Sequence, residues 1–225
     1  VATDAYDNAI KSGFVYRKAT VEPYGNDVAA TNVAYYKNTM RIQAWTELTT
    51  GERFTLSMNH FKAMSDDASK SKRVDNVTWL MNGLSNSSKV KDPDILIMGD
   101  LNAQMDEDCM TVIQSNGYAE QLLRFDANAY SYVYYGEHEL IDHAFANSTM
   151  AEQITGAAVW HTNTSTYYNN RYSDHDAVLV GLRLGTQGAA VEMIEIAEPA
   201  RKEVRNGQIV IIRGGVVYTI TGQRF

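Results

Sequence analysis

The stretch Ile95-Leu96-Ile97-Met98-Gly99-Asp100-Leu101-Asn102 decides how this chain is understood. Its apolar run, Ile95 to Met98, has the length of a buried strand. Gly99 allows the backbone to turn tightly. Asp100 and Asn102 follow at the carboxyl end of that strand, two residues apart, so both point into one cleft. A carboxylate beside a carboxamide suits work with a metal, a water and a phosphate oxygen. Alone, the same residues also describe a strand closed by an Asx turn.

Three other segments add to it. Phe54 to Lys62 alternates apolar and polar residues and carries Asn59-His60 near its end. Leu140-Ile141-Asp142-His143-Ala144-Phe145 sets an aspartate before an apolar run. Ser173-Asp174-His175-Asp176 opens the run Ala177 to Leu182. Each segment puts Asp, Asn or His at the mouth of an expected strand. In this order they resemble the NH, GDxN, D and SDH signatures of the endonuclease/exonuclease/phosphatase family, over about residues 10 to 184. Tyr130 to Glu137, Val159 to Asn163 and Arg171 to Asp176 further resemble the bacterial extracellular nuclease branch. Ala177 departs from it, standing where many members have proline. His143 is expected to be a plain surface histidine.

The resemblance implies an α+β fold, the four-layer αββα sandwich of DNase I-like proteins, here an incomplete copy. It implies a metal-dependent phosphodiester hydrolase acting on DNA or RNA. The alternatives are a phosphatase or phospholipase-type phosphoesterase, and a non-catalytic surface binding protein. It also implies roles. Asp174 is the metal ligand, for Mg2+ first and Mn2+ or Ca2+ second. Asp100 orients or deprotonates the attacking water, and Asn102 holds that water or a phosphate oxygen. His175 contacts phosphate or moves a proton, with Asp142 fixing its tautomer. His60 is a second acid/base or phosphate contact. Lys62 and Arg171, beside His60 and Asp174, are positioned to meet substrate phosphates.

Composition sets bounds. The chain has 225 residues, 44% hydrophobic and 21% charged, which suits one domain with a small appendage. The net charge of −7 argues against a protein that coats nucleic acid nonspecifically. It leaves a nuclease open, because a bound cation inverts the local field of a carboxylate site. The single cysteine, Cys109, excludes an intrachain disulfide, and its place on an expected helix points to buried packing. No apolar run is long enough to span a bilayer.

Along the chain, Ser12 to Arg17 is expected as a short strand. Arg41 to Leu48 and Arg53 to Asn59 form a hairpin around Thr49-Thr50-Gly51-Glu52. Ser65 caps a helix whose apolar face is Val74, Val77, Met81 and Leu84. A shorter helix, Asp106 to Asn116, stops at Gly117. The tyrosines Tyr130, Tyr132, Tyr134 and Tyr135 suit base stacking, but strand alternation assigns half of them to the core.

The expected organisation is a phosphoesterase portion over 1–184, a linker over 185–197 and a β-hairpin tail over 198–225. Gln208 to Arg213 and Val216 to Ile220 are its strands, joined at Gly214-Gly215. The tail resembles the sorting tails of secreted Bacteroidetes proteins, which implies an extracellular or cell-surface location. The family resemblance also implies an upstream half bearing an Asn and a metal-binding Glu. Glu22, Glu47 and Glu52 stand in the wrong context to replace that Glu. A chain so truncated is expected to form homo-oligomers, swap strands or need the missing segment.

Overall fold

The computed structural model describes residues 12–30, 40–86, 90, 92–165, 171–185, 201–205, 208–213 and 216–219. The chain divides into two compact units, Val1–Gly185 and Thr186–Phe225.

The larger unit is built on a six-stranded mixed sheet. Strands β1 (Val21–Ala30), β2 (Met40–Glu47), β3 (Arg53–His60), β4 (Ile95–Asp100), β5 (Tyr118–Glu120) and β8 (Asp142–Asn147) lie in the order β1-β2-β3-β4-β8-β5. Only β3 and β4 run parallel; the other pairs are antiparallel. Helix α1 (Asp67–Leu84) makes the crossover between the two parallel strands, as parallel pairing requires.

Alternation along the strands sorts the side chains. Ile95, Ile97 and Phe145 face Val77, Leu80 and Leu84 of α1, together with Cys109, Met110 and Ile113 of α2 (Asp108–Ser115). Leu96, Met98 and Ala146 point to the opposite face, toward a second sheet. There β9 (Ile154–Trp160) and β10 (Ala177–Leu182) pair antiparallel. Val178, Val180 and Leu182 pack inward, while Ala177, Leu179 and Trp160 are exposed. The described layers are therefore helix, sheet and a two-stranded sheet. Two short helices, α3 (Leu122–Phe125) and α4 (Ser148–Ala151), and the small hairpin of β6 (Tyr132–Tyr134) and β7 (Glu137–Glu139) complete the unit.

The β2–β3 hairpin and both longer helices form where expected. Asp66, not Ser65, caps α1, its carboxylate accepting from the Ser69 amide at 3.0 Å. Cys109 is buried within α2. Glu47 belongs to the hairpin turn. Its carboxylate accepts from the Thr49 and Thr50 amides at 3.0 and 2.7 Å, and these bonds lower its pKa to about 2.

A further expectation is corrected and another is extended. Ser12 to Arg17 is not a strand; Gly13 alone has bridge geometry. Aromatic contacts hold that segment instead, with Phe14 and Tyr16 edge-on to Trp45 at 5.4 and 4.9 Å. The smaller unit holds the expected antiparallel pair and adds a third strand, making a meander. Strand β11 (Arg201–Arg205) precedes β12 (Gln208–Arg213) and β13 (Val216–Thr219). The charges of Arg201-Lys202-Glu203 hide β11 from a search for apolar alternation. Gly214-Gly215 and all of the proposed linker except Gly185 lie outside the described residues.

Candidate active site

Strand register assembles the site. His60 is the register partner of Asp100 across β3–β4, and Asp100 is the partner of Asp142 across β4–β8. Directly paired residues project from the same face. The three side chains therefore form a row at one end of the sheet, on the side facing β9 and β10. The loop before β10 brings in His175, whose Nδ1 lies 2.6 Å from Asp142 Oδ2. His60 Nε2 is 3.6 Å from Asp100 Oδ2, near enough for attraction but beyond a hydrogen bond.

Asn102 sits at φ +51, a left-handed conformation that asparagine tolerates better than most residues. Its amide NH2 donates to Asp100 Oδ2 at 3.0 Å and to the Phe61 carbonyl at 3.2 Å. Its backbone N–H donates to Asp100 Oδ1 at 2.8 Å. Both amide hydrogens are thus engaged, and Oδ1 is left as the acceptor. Of the two jobs considered for Asn102, this favours holding a water over donating to phosphate.

The electrostatics are those of crowded carboxylates. Burial, then the charge of Asp142, raises the pKa of Asp100. Burial opposes charge on His175, but the hydrogen bond and charge of Asp142 outweigh it and leave the imidazole pKa raised.

Asp100, Asp142 and His175 can each offer a ligand atom, all within 4.8 Å of one another. Two neighbouring carboxylates concentrate negative charge, and oxygen-rich donors suit a hard divalent cation. The donor set therefore fits a metal. Asp174 is exposed and stands outside this cluster, though its charge acts on both His175 and Tyr132. Arg171 is half-buried, and its charge also acts on the Tyr132 phenol. Lys62 is half-buried on the loop after β3. Its backbone is fixed by Asn76, which accepts from its N–H at 3.2 Å, and by Arg73, which donates to its carbonyl at 2.8 Å.

His143 is not a surface residue. It is fully buried on the helix-facing side of β8, its Nε2 donating to the Ala103 carbonyl at 2.9 Å. Its neighbour Asp142 takes the cleft face, so strand alternation sends His143 to the other.

Residues given no role from sequence brace the site. Buried Ser131 accepts from the Asp142 amide at 3.0 Å, and its carbonyl accepts from the Asp176 amide at 2.8 Å. The Asp176 carboxylate accepts from His161 Nδ1 at 2.8 Å, from the Thr164 hydroxyl and from the amides of Thr162, Asn163 and Thr164. Asn163 then donates to the His175 carbonyl at 2.7 Å. Spacing in the run Ser173-Asp174-His175-Asp176 held no signal for this: residues two apart share a face in a strand, and only the course of the loop separates exposed Asp174 from buried Asp176.

Asp176 gives a stability prediction. Burial alone would raise its pKa, but the bonds from Thr164, His161 and the loop amides overcome this and hold it at about 2, against 3.8 for a free aspartate. A depressed folded-state pKa stabilises the fold above the unfolded value, and the contribution fades as pH falls from about 4 toward 2. The amount is about 2 kcal/mol. Asp176→Asn should therefore flatten urea-midpoint curves over that pH range. A variant as acid-sensitive as the parent would refute the assignment.

No family model matches the sequence, and no curated protein matches it. Solved structures do match by fold. One is an endonuclease/exonuclease/phosphatase from Bacteroides vulgatus, 16% identical, covering 75% of this chain and 69% of its own, with a TM-score of 0.58. A second is a mannosyl-6-phosphatase from Bacteroides thetaiotaomicron, 15% identical over 75% of this chain and 69% of its own, TM-score 0.57. A third is TDP2 from D. rerio complexed with a single-strand DNA product, 14% identical over 73% of this chain and 69% of its own, TM-score 0.55. The chain thus spans about two thirds of each. The mixed sheet, its α1 crossover and the second sheet give this chain the DNase I-like fold of the endonuclease/exonuclease/phosphatase family.

Proposed function

We propose that this chain is a metal-dependent phosphoester hydrolase whose preferred substrate is nucleic acid. The carrying observation is the convergence of His60, Asp100, Asn102, Asp142 and His175 at one sheet end. Asp100 and Asp142 would hold a divalent cation, Mg2+ by donor type, with exposed Asp174 supplying a further oxygen at the rim. When bound, such a cation neutralises charge on the phosphoryl oxygens.

The remaining work falls to the side chains. Asp100 takes a proton from the attacking water, and Asn102 Oδ1 holds that water. His175 has Nδ1 tied to Asp142, so Nε2 faces the substrate and delivers a proton to the leaving oxygen. His60, 3.6 Å from Asp100, serves as a second acid/base group or phosphate contact. Lys62 and Arg171 are proposed to meet flanking phosphates.

A plasmid-nicking assay in Mg2+, and again with a chelator, tests this. Nicking that the chelator abolishes is expected. Turnover of a sugar phosphate with an intact plasmid would move the assignment to a phosphomonoesterase, the activity in the name of the B. thetaiotaomicron structure. No metal-dependent turnover of either would favour a binding protein. We further propose export, on the likeness of the tail to sorting tails. Finding the protein only inside cells would refute that.

A further inference from the structure

The β6–β7 hairpin carries features that folding does not require. Its turn holds Tyr135 at φ +48 and Gly136 at φ +88, the pair of left-handed residues a type I′ turn needs. Asparagine or aspartate is favoured at the first position, because a larger side chain there crowds the backbone. Here that position holds a tyrosine that is 92% exposed. The residue is unfavourable twice over, in its backbone and in its solvated ring. Tyr134 beside it is 52% exposed. Unfavourable local choices of this kind collect at sites of function.

The rings form a line that starts at the active site. Tyr132 bridges to His175 through its backbone, and its ring lies 4.8 Å from the imidazole. Tyr132 and Tyr134 share one face of β6, 6.3 Å apart and within 18° of parallel. Tyr135 closes the line, edge-on to Tyr134 at 4.5 Å.

We propose that Tyr132, Tyr134 and Tyr135 form a stacking subsite for unpaired bases of a single-stranded polynucleotide whose scissile phosphate lies at His175. The inference rests on the phosphoester reading above and deepens it. Flat aromatic faces accept any base. Arg171 lies toward the Tyr132 end, but the charge on the hairpin itself discourages phosphate at the tip. Glu137 is the cross-strand partner of Tyr134 and Glu139 that of Tyr132, and residues 130–139 contain no Lys or Arg. An anionic backbone or anionic lipid laid across the tip meets like charge, whereas a neutral base does not. A duplex hides its base faces and presents phosphates, so single strands are preferred.

The test is equilibrium binding by fluorescence anisotropy in chelator, which prevents turnover. The ligands are a labelled oligothymidylate and an abasic oligonucleotide of equal length. The wild-type chain should bind the oligothymidylate about tenfold or more tighter than the abasic strand. Tyr134→Ala/Tyr135→Ala should erase that difference. Tyr135→Asn serves as the folding control: it suits the turn, so it should melt no lower than wild type yet bind more weakly. Equal binding of both strands by wild type, or wild-type affinity in the double variant, overturns the proposal. So does tyrosine-dependent binding to phosphatidylcholine vesicles without any oligonucleotide effect, which would assign the tip to lipid. Because binding is read without turnover, a chain that stacks bases but fails the nicking assay separates this inference from the proposed activity.

Discussion

His175→Ala is expected to lower kcat/KM for phosphodiester cleavage by about 10²–10⁴, the range for losing a positioned general acid. The side chain is half-buried, with Nδ1 2.6 Å from the Asp142 carboxylate and the ring 4.8 Å from that of Tyr132. Removing the ring takes away the hydrogen bond that Asp142 accepts beside Asp100. Some stability is lost as well, so urea midpoints should be measured beside the rates. His175→Gln keeps a hydrogen-bonding group toward Asp142 without a titrating proton. It should recover stability but not rate, which separates the chemical role from the structural one.

The pH profile adds a second check with a defined sign. The raised pKa of His175 keeps the acid form to higher pH than a free imidazole, so the alkaline limb falls late. Without metal, burial and the charge of Asp142 raise the pKa of Asp100; a cation held there opposes that shift, so the acid limb should move to lower pH as Mg2+ is raised. In His175→Ala the alkaline limb governed by the imidazole should disappear while the acid limb remains. A variant within twofold of wild type, with both limbs intact, would remove His175 from the mechanism.

Much of this site was legible in the sequence because strands have a period of two. Asp100 and Asn102 could be assigned to one cleft from spacing alone, and His60 and Asp142 fell at strand mouths. What sequence did not reveal was register. Nothing in the letters says that His60, Asp100 and Asp142 are direct partners across three strands; pairing sets that. The Asp176 cage was equally hidden, because its donors are mostly backbone amides, which carry no sequence signature. His143 was misjudged for a different reason. Alternation from Asp142 sends His143 to the buried face. Strand β11 stays hidden because Arg201-Lys202-Glu203 shows no apolar alternation. For the tyrosines, composition suggested stacking, yet only the turn geometry separates Tyr135 from a core residue.

Gly99→Ala is expected to be the most disruptive single substitution at the site, costing about 4 kcal/mol or more. Gly99 has φ +129, where a side chain is strained whatever the space around it. A Cβ there would also lie 2.0 Å from the Asn59 carbonyl oxygen and 2.9 Å from the Asn59 carbonyl carbon and amide nitrogen. These are backbone atoms of the paired strand, so no rotamer change relieves the contact. Strands β3 and β4 would have to separate at the row just below His60 and Asp100, breaking the bond from Asn59 Nδ2 to the Met98 carbonyl. Domains of this size are held by about 5–15 kcal/mol, so most of that margin goes. Gly117→Ala is the matched control. It too has a positive φ, +88, but open space around the added methyl, and should cost only about 1 kcal/mol. Urea titration of both variants decides the matter. A Gly99→Ala midpoint equal to that of Gly117→Ala would show that the two strands do not approach as closely as the register requires. A Gly99→Ala chain that never folds beside a normal Gly117→Ala confirms that this glycine is demanded by the neighbouring strand, and that the catalytic row depends on the closeness it permits.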